Sequence, residues 1–123
     1  MRTDTSQEAL EQIVRRLVDG LQPEQIILFG SYADGEPREG SDVDLMIIVS
    51  ESTESPHRRD QRAYRCLRGI KVSKDLMVLT RDEFERQARV ATALARRVKD
   101  RGKVLYDRGE TRRGLELADK EPA

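Results

Sequence analysis

The sequence predicts a mixed α/β (α+β) fold: a small sheet with helices packed on it. Two observations carry this reading. The periodic segments follow the order α-β-β-α-β-α-(β), with two successive strands joined by a glycine-rich loop and later strands reached through helical crossovers. The second strand also turns apolar on both of its faces after Asp44, which suits a central strand covered from both sides.

Each element has its own local cause. Thr5-Ser6-Gln7-Glu8 reads as a capping box, a hydroxyl followed three residues later by Glu. Leu10, Ile13, Val14, Leu17 and Val18 then recur at three- and four-residue steps, giving one apolar stripe of a helix that ends at Gly20. Beyond Pro23, the short apolar run Gln25 to Phe29 is a buried strand. The polar run from Gly30 to Ser41 holds Gly30, Gly35, Pro37 and Gly40. It is a loop with room for a helical turn around Tyr32 to Asp34.

Asp42 to Val49 is the second strand. Val43, Leu45, Ile47 and Val49 fall on one face, and Asp42, Asp44, Met46 and Ile48 on the other. Ser55-Pro56 starts a helix, with Ser as N-cap and Pro at the first helical position. That helix runs to about Arg68, with Ala63, Tyr64 and Leu67 facing inward and Gly69 closing it. Asp75 to Leu79 is the third strand. Thr80-Arg81-Asp82-Glu83 is a second capping box, opening one long helix whose stripe is Phe84, Ala88, Ala91, Ala95 and Val98, up to Gly102. Lys103 to Tyr106 adds an edge strand. The division expected is a domain over residues 1–107 and a charged, disordered C-terminal tail over 108–123.

Composition narrows the function. At 123 residues there is room for one domain with a real core. Lys plus Arg and Asp plus Glu stand at 23 each, so the basic excess of a nucleic-acid binder is missing and no direct nucleic-acid binding is expected. The single Cys66 and single His57 cannot make a disulfide or a zinc cluster between them. Cys66 reads as a small residue on a helix and His57 as exposed. No apolar leader or span is present, so no membrane association is expected and the compartment expected is the cytoplasm.

The chemistry concentrates between Gly30 and Asp44. Asp42 and Asp44 are two apart on a strand, so both carboxylates point to one side. Two carboxylates held together repel, and a divalent cation between them relieves that cost. Hard oxygen ligands suit Mg²⁺, which keeps several waters and is usually completed by substrate phosphates. Gly30-Ser31 ends the preceding strand. Glycine lets backbone approach a ligand, and the Ser31 hydroxyl and nearby amides can donate to phosphate oxygens. A third carboxylate, Asp75, can face the same opening if its strand lies beside Asp42 to Val49. Two metal ions could then activate an acceptor and stabilise leaving pyrophosphate. Lys74 is a candidate to neutralise a triphosphate.

Gly30-Ser31, ten residues, then Asp42-Val43-Asp44 resembles the G-S-x10-D-x-D signature of the DNA polymerase beta-like nucleotidyltransferase superfamily, and Lys74-Asp75-Leu76-Met77-Val78 resembles its third-carboxylate strand. The closing Gly102-Lys103-Val104-Leu105-Tyr106, with no appended domain, is similar to the minimal nucleotidyltransferases of bacteria and archaea. The likeness runs from about Leu10 to Tyr106. It implies the polymerase beta-like nucleotidyltransferase fold. It also implies that Gly30 and Ser31 bind the phosphates of ATP, that Asp42 and Asp44 ligate Mg²⁺, and that Asp75 binds the catalytic metal and assists the acceptor. Minimal members are often encoded beside a HEPN-domain ribonuclease toxin. The resemblance therefore implies an antitoxin that adenylylates a tyrosine of such a partner.

Other readings stay open beside it: a non-catalytic antitoxin that neutralises by binding, or transfer to a small molecule. The second usually needs a further domain to hold the acceptor. Asp34, Arg38 and Glu39 read as loop surface, and Arg86, Arg89, Arg96, Arg97, Lys99 and Arg101 as the wet face of a helix. Tyr64 and Tyr106 read as packing residues, with self-modification as the alternative.

Overall fold

The computed structural model describes residues 7–30, 33 and 42–109. The Thr5 capping box, Ser31, the helical turn expected around Tyr32 to Asp34, and the tail from residue 110 onward lie outside the described residues.

Helix α1 (Gln7–Leu21) precedes strands β1 (Gln25–Phe29) and β2 (Val43–Val49). Helix α2 (Pro56–Cys66) crosses over to β3 (Lys74–Thr80), and α3 (Arg81–Ala88) and α4 (Leu94–Arg101) lead to β4 (Lys103–Asp107). The four strands form one sheet in the order β3-β2-β1-β4. β1 runs antiparallel to β2 and β4, while β2 and β3 are parallel. The sheet is therefore mixed, as expected, with β4 at one edge.

Burial follows the alternation along β2. Val43, Leu45 and Ile47 pack with Ile13 and Leu17 of α1 and Ala63 and Leu67 beside them. Met46 and Ile48, on the other face, pack with Phe84, Ala88, Ala95 and Val98. Two apolar layers on opposite faces explain why β2 carries no polar position after Asp44.

Local signals set most boundaries. Gln22 ends α1 in the left-handed region (φ 49), its N–H reaching the Val18 carbonyl at 2.9 Å, so the helix outlasts Gly20 by one residue. Ser55 caps α2, accepting from the Arg58 N–H at 3.3 Å, with Pro56 at the first position. The Thr80–Glu83 capping box is complete: Glu83 N–H donates to Thr80 Oγ1 at 3.1 Å, and Thr80 N–H donates to Glu83 Oε1 at 3.0 Å.

Three expectations need correction. The long helix after Thr80 is two helices, α3 and α4, separated by residues 89–93. Ala88 and Ala95 stand two full turns apart, so periodicity runs straight through the break. Val90 and Thr92 within it are β-branched and exposed, with no burial to offset their weak helical preference, and Ala91 is exposed rather than part of the stripe. Helix α2 stops at Cys66 rather than Arg68, and the chain turns through Gly69 (φ 93). Tyr64 does not face inward: it is 40% exposed, whereas Arg59 on the same helix is buried.

Candidate active site

Asp44 and Asp75 are brought together by strand register. They are direct partners in the parallel β2–β3 pair. Residues paired this way project to the same face, here the face that carries Met46, Ile48 and Leu79 deeper in. Both aspartates sit near the N-terminal ends of their strands, beside the C-terminal end of the antiparallel β1, where Phe29 is the partner of Asp44. The mouth is thus formed by one strand end and two strand beginnings.

Gly30 completes the approach from β1. Its φ is +79, in the region that side-chain-bearing residues rarely adopt, and any Cβ placed there would collide with Asp44 Oδ2. Glycine is required here twice over, by backbone conformation and by the carboxylate lying against it. The Gly30 carbonyl accepts from the Ala33 N–H at 3.1 Å, so the chain turns immediately after β1. Ser31 lies outside the described residues.

Asp42 stands just before β2 rather than as its first residue. The neighbouring Val43 N–H bonds the Ser73 carbonyl at 2.9 Å, and the Ser73 hydroxyl donates to Asp42 Oδ1. This ties Asp42 to the chain entering β3.

The electrostatics record how close these groups are. Burial raises the Asp44 carboxyl above its ordinary range, and the negative charges of Asp75 and Asp42 raise it further. No basic side chain among the described residues offsets that rise. Among the described residues, no three Asp, Glu, His or Cys side chains already close on a common point as a finished cage. Three like charges at one mouth have reason to splay until a cation draws them in, and Asp42 has turned to a hydroxyl. The donor set is all oxygen, at the strand end where a phosphate-binding turn would follow, and this fits a hard divalent cation bound jointly with phosphates.

Lys74 does not join the group. It pairs with Val43 in register and so belongs to the opposite face of the sheet. Its ammonium donates to the Ile70 and Val72 carbonyls at 2.9 and 2.8 Å, bracing the loop before β3.

Three residues of α2 gave no sequence signal of their role. The outer edge of β3 is covered by α2: Asp60 Oδ1 accepts from the Val78 N–H at 2.9 Å, and the Tyr64 hydroxyl oxygen accepts from the Leu76 N–H at 3.0 Å. Tyr64 Oη also lies 3.4 Å from Asp75 Oδ1. Arg59 reaches the Val78 carbonyl at 3.2 Å and both carboxylate oxygens of Glu83 at 2.8 and 3.0 Å. The spacing of Asp60 and Tyr64 places them on one helical face, but only the docking of α2 shows which strand edge that face meets.

Comparisons with known proteins bear on the family and the fold. The sequence model of the nucleotidyltransferase domain family matches residues 8–105. No curated protein matches the chain. Among solved structures, a toxin–antitoxin complex with AMP-PNP is similar at 19% identity, covering 89% of this chain and 90% of its own, with a TM-score of 0.58. A tri-AMPylated Shewanella oneidensis HEPN toxin in complex with MNT antitoxin is similar at 19% identity, covering 91% of this chain and 81% of its own, TM-score 0.52. A MntA–HpeT toxin–antitoxin complex with two aspartates, two positions apart, replaced by glutamate is similar at 18% identity, covering 89% and 90%, TM-score 0.55. At these identities the structural matches establish the fold, and the family follows from the sequence match across most of the chain: this protein belongs to the nucleotidyltransferase domain family.

Proposed function

We propose that this nucleotidyltransferase transfers AMP from ATP to a tyrosine of a HEPN-type partner, and so acts as its antitoxin. The observation that carries the reading is the register of Asp44 with Asp75, beside a glycine that makes room for the Asp44 carboxylate. Two carboxylates are held side by side with no cationic side chain among the described residues to compensate them, which suits a site completed by Mg²⁺ and nucleotide phosphates. The partner is suggested by similarity to complexes of HEPN toxin with MNT antitoxin, one of them with an AMPylated toxin.

In this reading Asp42, Asp44 and Asp75 hold Mg²⁺, and the turn at Gly30 and Ser31 holds the phosphates. The bound cation would supply charge neutralisation on the phosphates and on the leaving pyrophosphate. The acceptor oxygen bonds to the α-phosphorus of ATP, the bond from that phosphorus to the bridging oxygen breaks, and pyrophosphate leaves. In this reading Asp75 also takes the acceptor's proton. The chain's contribution is orientation and charge placement rather than a covalent intermediate. A partner protein brings its own acceptor surface, which a domain this small does not build for itself; a standard interface covers about 800 Å² per side. AMP on a tyrosine adds a negative phosphate and a bulky nucleoside, which would repel RNA from a ribonuclease surface nearby.

The test is mass spectrometry of the cognate partner after incubation with this protein, ATP and Mg²⁺. Whole AMP increments on tyrosine, absent with EDTA, are expected. Neutralisation that needs a stoichiometric complex, proceeds without ATP and survives Asp42→Ala with Asp44→Ala would establish inhibition by binding instead.

A further inference from the structure

Tyr64 stands out among the polar residues beside the site. It is a half-exposed aromatic on a helix that otherwise docks through Ala63, Leu67 and Arg59. The α2 helix lies on the face of the sheet opposite to Asp44 and Asp75, and Tyr64 reaches round the open edge of β3 to meet the site from the side.

The hydroxyl has one proton to donate and lone pairs to accept with. The acceptor side is used by the Leu76 N–H at 3.0 Å, a well-formed bond. That bond fixes the phenol oxygen relative to the backbone of β3, one residue beyond Asp75. The proton is then directed at Asp75 Oδ1, 3.4 Å away, long for an O–H···O bond but within reach. Asp60, one turn earlier on α2, caps the next outward N–H of the same edge, at Val78, and has no contact with the carboxylates. If edge capping were the whole purpose, a carboxylate or amide at position 64 would serve as well. A phenol differs in presenting a proton donor, with little conformational freedom, to one oxygen of Asp75. That would leave the other oxygen free and aimed.

We propose that Tyr64 is a positioning residue for Asp75: its hydroxyl, pinned by the Leu76 N–H, holds one carboxylate oxygen so that the other is presented to the cation. This rests on the assignment of Asp75 as a metal ligand made above. Groups that orient a metal ligand in this way typically contribute about 10–100-fold in metal affinity or activity.

The experiment measures Mn²⁺ binding, by electron paramagnetic resonance, in the presence of a non-hydrolysable ATP analogue. It compares the full chain with Tyr64→Phe, Asp75→Asn, the double variant, and Asp60→Ala. Tyr64→Phe should weaken Mn²⁺ binding about tenfold while its melting temperature stays close to that of Asp60→Ala, which loses a cap at the same edge. Asp60→Ala should leave Mn²⁺ affinity unchanged. In the Asp75→Asn background, Tyr64→Phe should cause no further loss, because the group it orients is gone. Equal loss in both backgrounds, or equal loss from Asp60→Ala, would make Tyr64 a structural residue and overturn the proposal. AMP found on Tyr64 itself after incubation with ATP and Mg²⁺ would also overturn it, by making Tyr64 an acceptor. If Asp75→Asn alone leaves Mn²⁺ binding intact, the assignment of Asp75 fails first, and with it the premise.

Discussion

Two charged clusters lie along the same strand pair and are built on opposite terms. At one end of β3, Asp75 stands beside Asp44 with Asp42 close by, three carboxylates with no basic partner among the described residues. At the other end, the guanidinium of Arg59 is 6% exposed, yet it is fully spoken for by both oxygens of Glu83 and by the Glu54 and Val78 carbonyls. Arg59, with help from the Thr80 N–H, holds the Glu83 carboxyl down at about 2, whereas burial and like charge push Asp44 up. The contrast teaches which cluster holds the fold and which works against it. A satisfied, partly buried ion pair ties α2 to the start of α3, while the carboxylate cluster carries a cost that the proposed cation and nucleotide would relieve.

The comparison breaks first, and hardest, at Asp44. Asp44→Asn should reduce nucleotidyl transfer by orders of magnitude, as loss of a metal ligand does. Its melting temperature should hold or rise, because one of three repelling charges is gone. A variant that keeps near-normal transfer would remove Asp44 from the site.

The opposite substitution tests the other end. Arg59→Ala leaves Glu83 without its partner and opens a gap under α2. It should destabilise the fold by about 2–3 kcal/mol, or roughly 10 °C in Tm for a domain of this size. Urea melts of the two variants side by side would show it, and an Arg59→Ala protein as stable as the parent would mean the pair is not structural.

Gly30 joins the two themes, since both conformation and the Asp44 carboxylate demand glycine. Gly30→Ala should cost about 1–2 kcal/mol from the positive φ alone, with more from the collision with Asp44. The collision part should disappear in an Asp44→Ala background, so a double-mutant cycle separates it from the backbone part. Additive effects would mean that Asp44 does not lie against Gly30.

The fold was legible in the sequence wherever one local signal decided the matter. Leu10 through Val18 gave α1, Ser55-Pro56 gave the start of α2, and the Thr80–Glu83 box gave the start of α3. The apolar run after Asp44 announced a strand covered twice. What failed to show was hidden by a stronger pattern or set by non-local contacts. The apolar spacing from Ala88 to Ala95 runs straight through the break between α3 and α4, so periodicity masks the weak helical preference of the exposed Val90 and Thr92. The inward Arg59 looks in sequence like one more charge on a wet helix. Gly30, Asp44 and Asp75 were expected together from their types and spacing, and the strand register brings them to one mouth. Lys74 was grouped with them by proximity in the chain, whereas alternation along β3 sends it to the other face.

The smallest effect is in the pH dependence, where the two clusters should have opposite signs. Glu83 has a depressed folded-state carboxyl. Its contribution is fully present above its unfolded value of 4.5 and is lost as pH falls from there toward about 2. Asp44 is raised, so its ionised form weighs against the folded state at neutral pH, and that penalty fades on acidification. Glu83→Gln should therefore flatten the acid limb of the stability curve, while the advantage of Asp44→Asn should be seen at pH 7 and shrink as pH falls toward the ordinary carboxyl value of 3.8. Acid limbs that coincide for both variants would erase the distinction.

The central claim is that the carboxylate mouth is destabilising when bare and stabilising when filled by cation and nucleotide. Paired thermal melts of the parent and Asp44→Asn, each with and without Mg²⁺ and AMP-PNP, test it most directly. The account predicts a crossover: bare, the variant melts at the same temperature as the parent or higher; with Mg²⁺ and AMP-PNP, the parent rises above a variant that scarcely moves. A variant that is less stable when bare, or that gains as much from Mg²⁺ and AMP-PNP as the parent does, would contradict it.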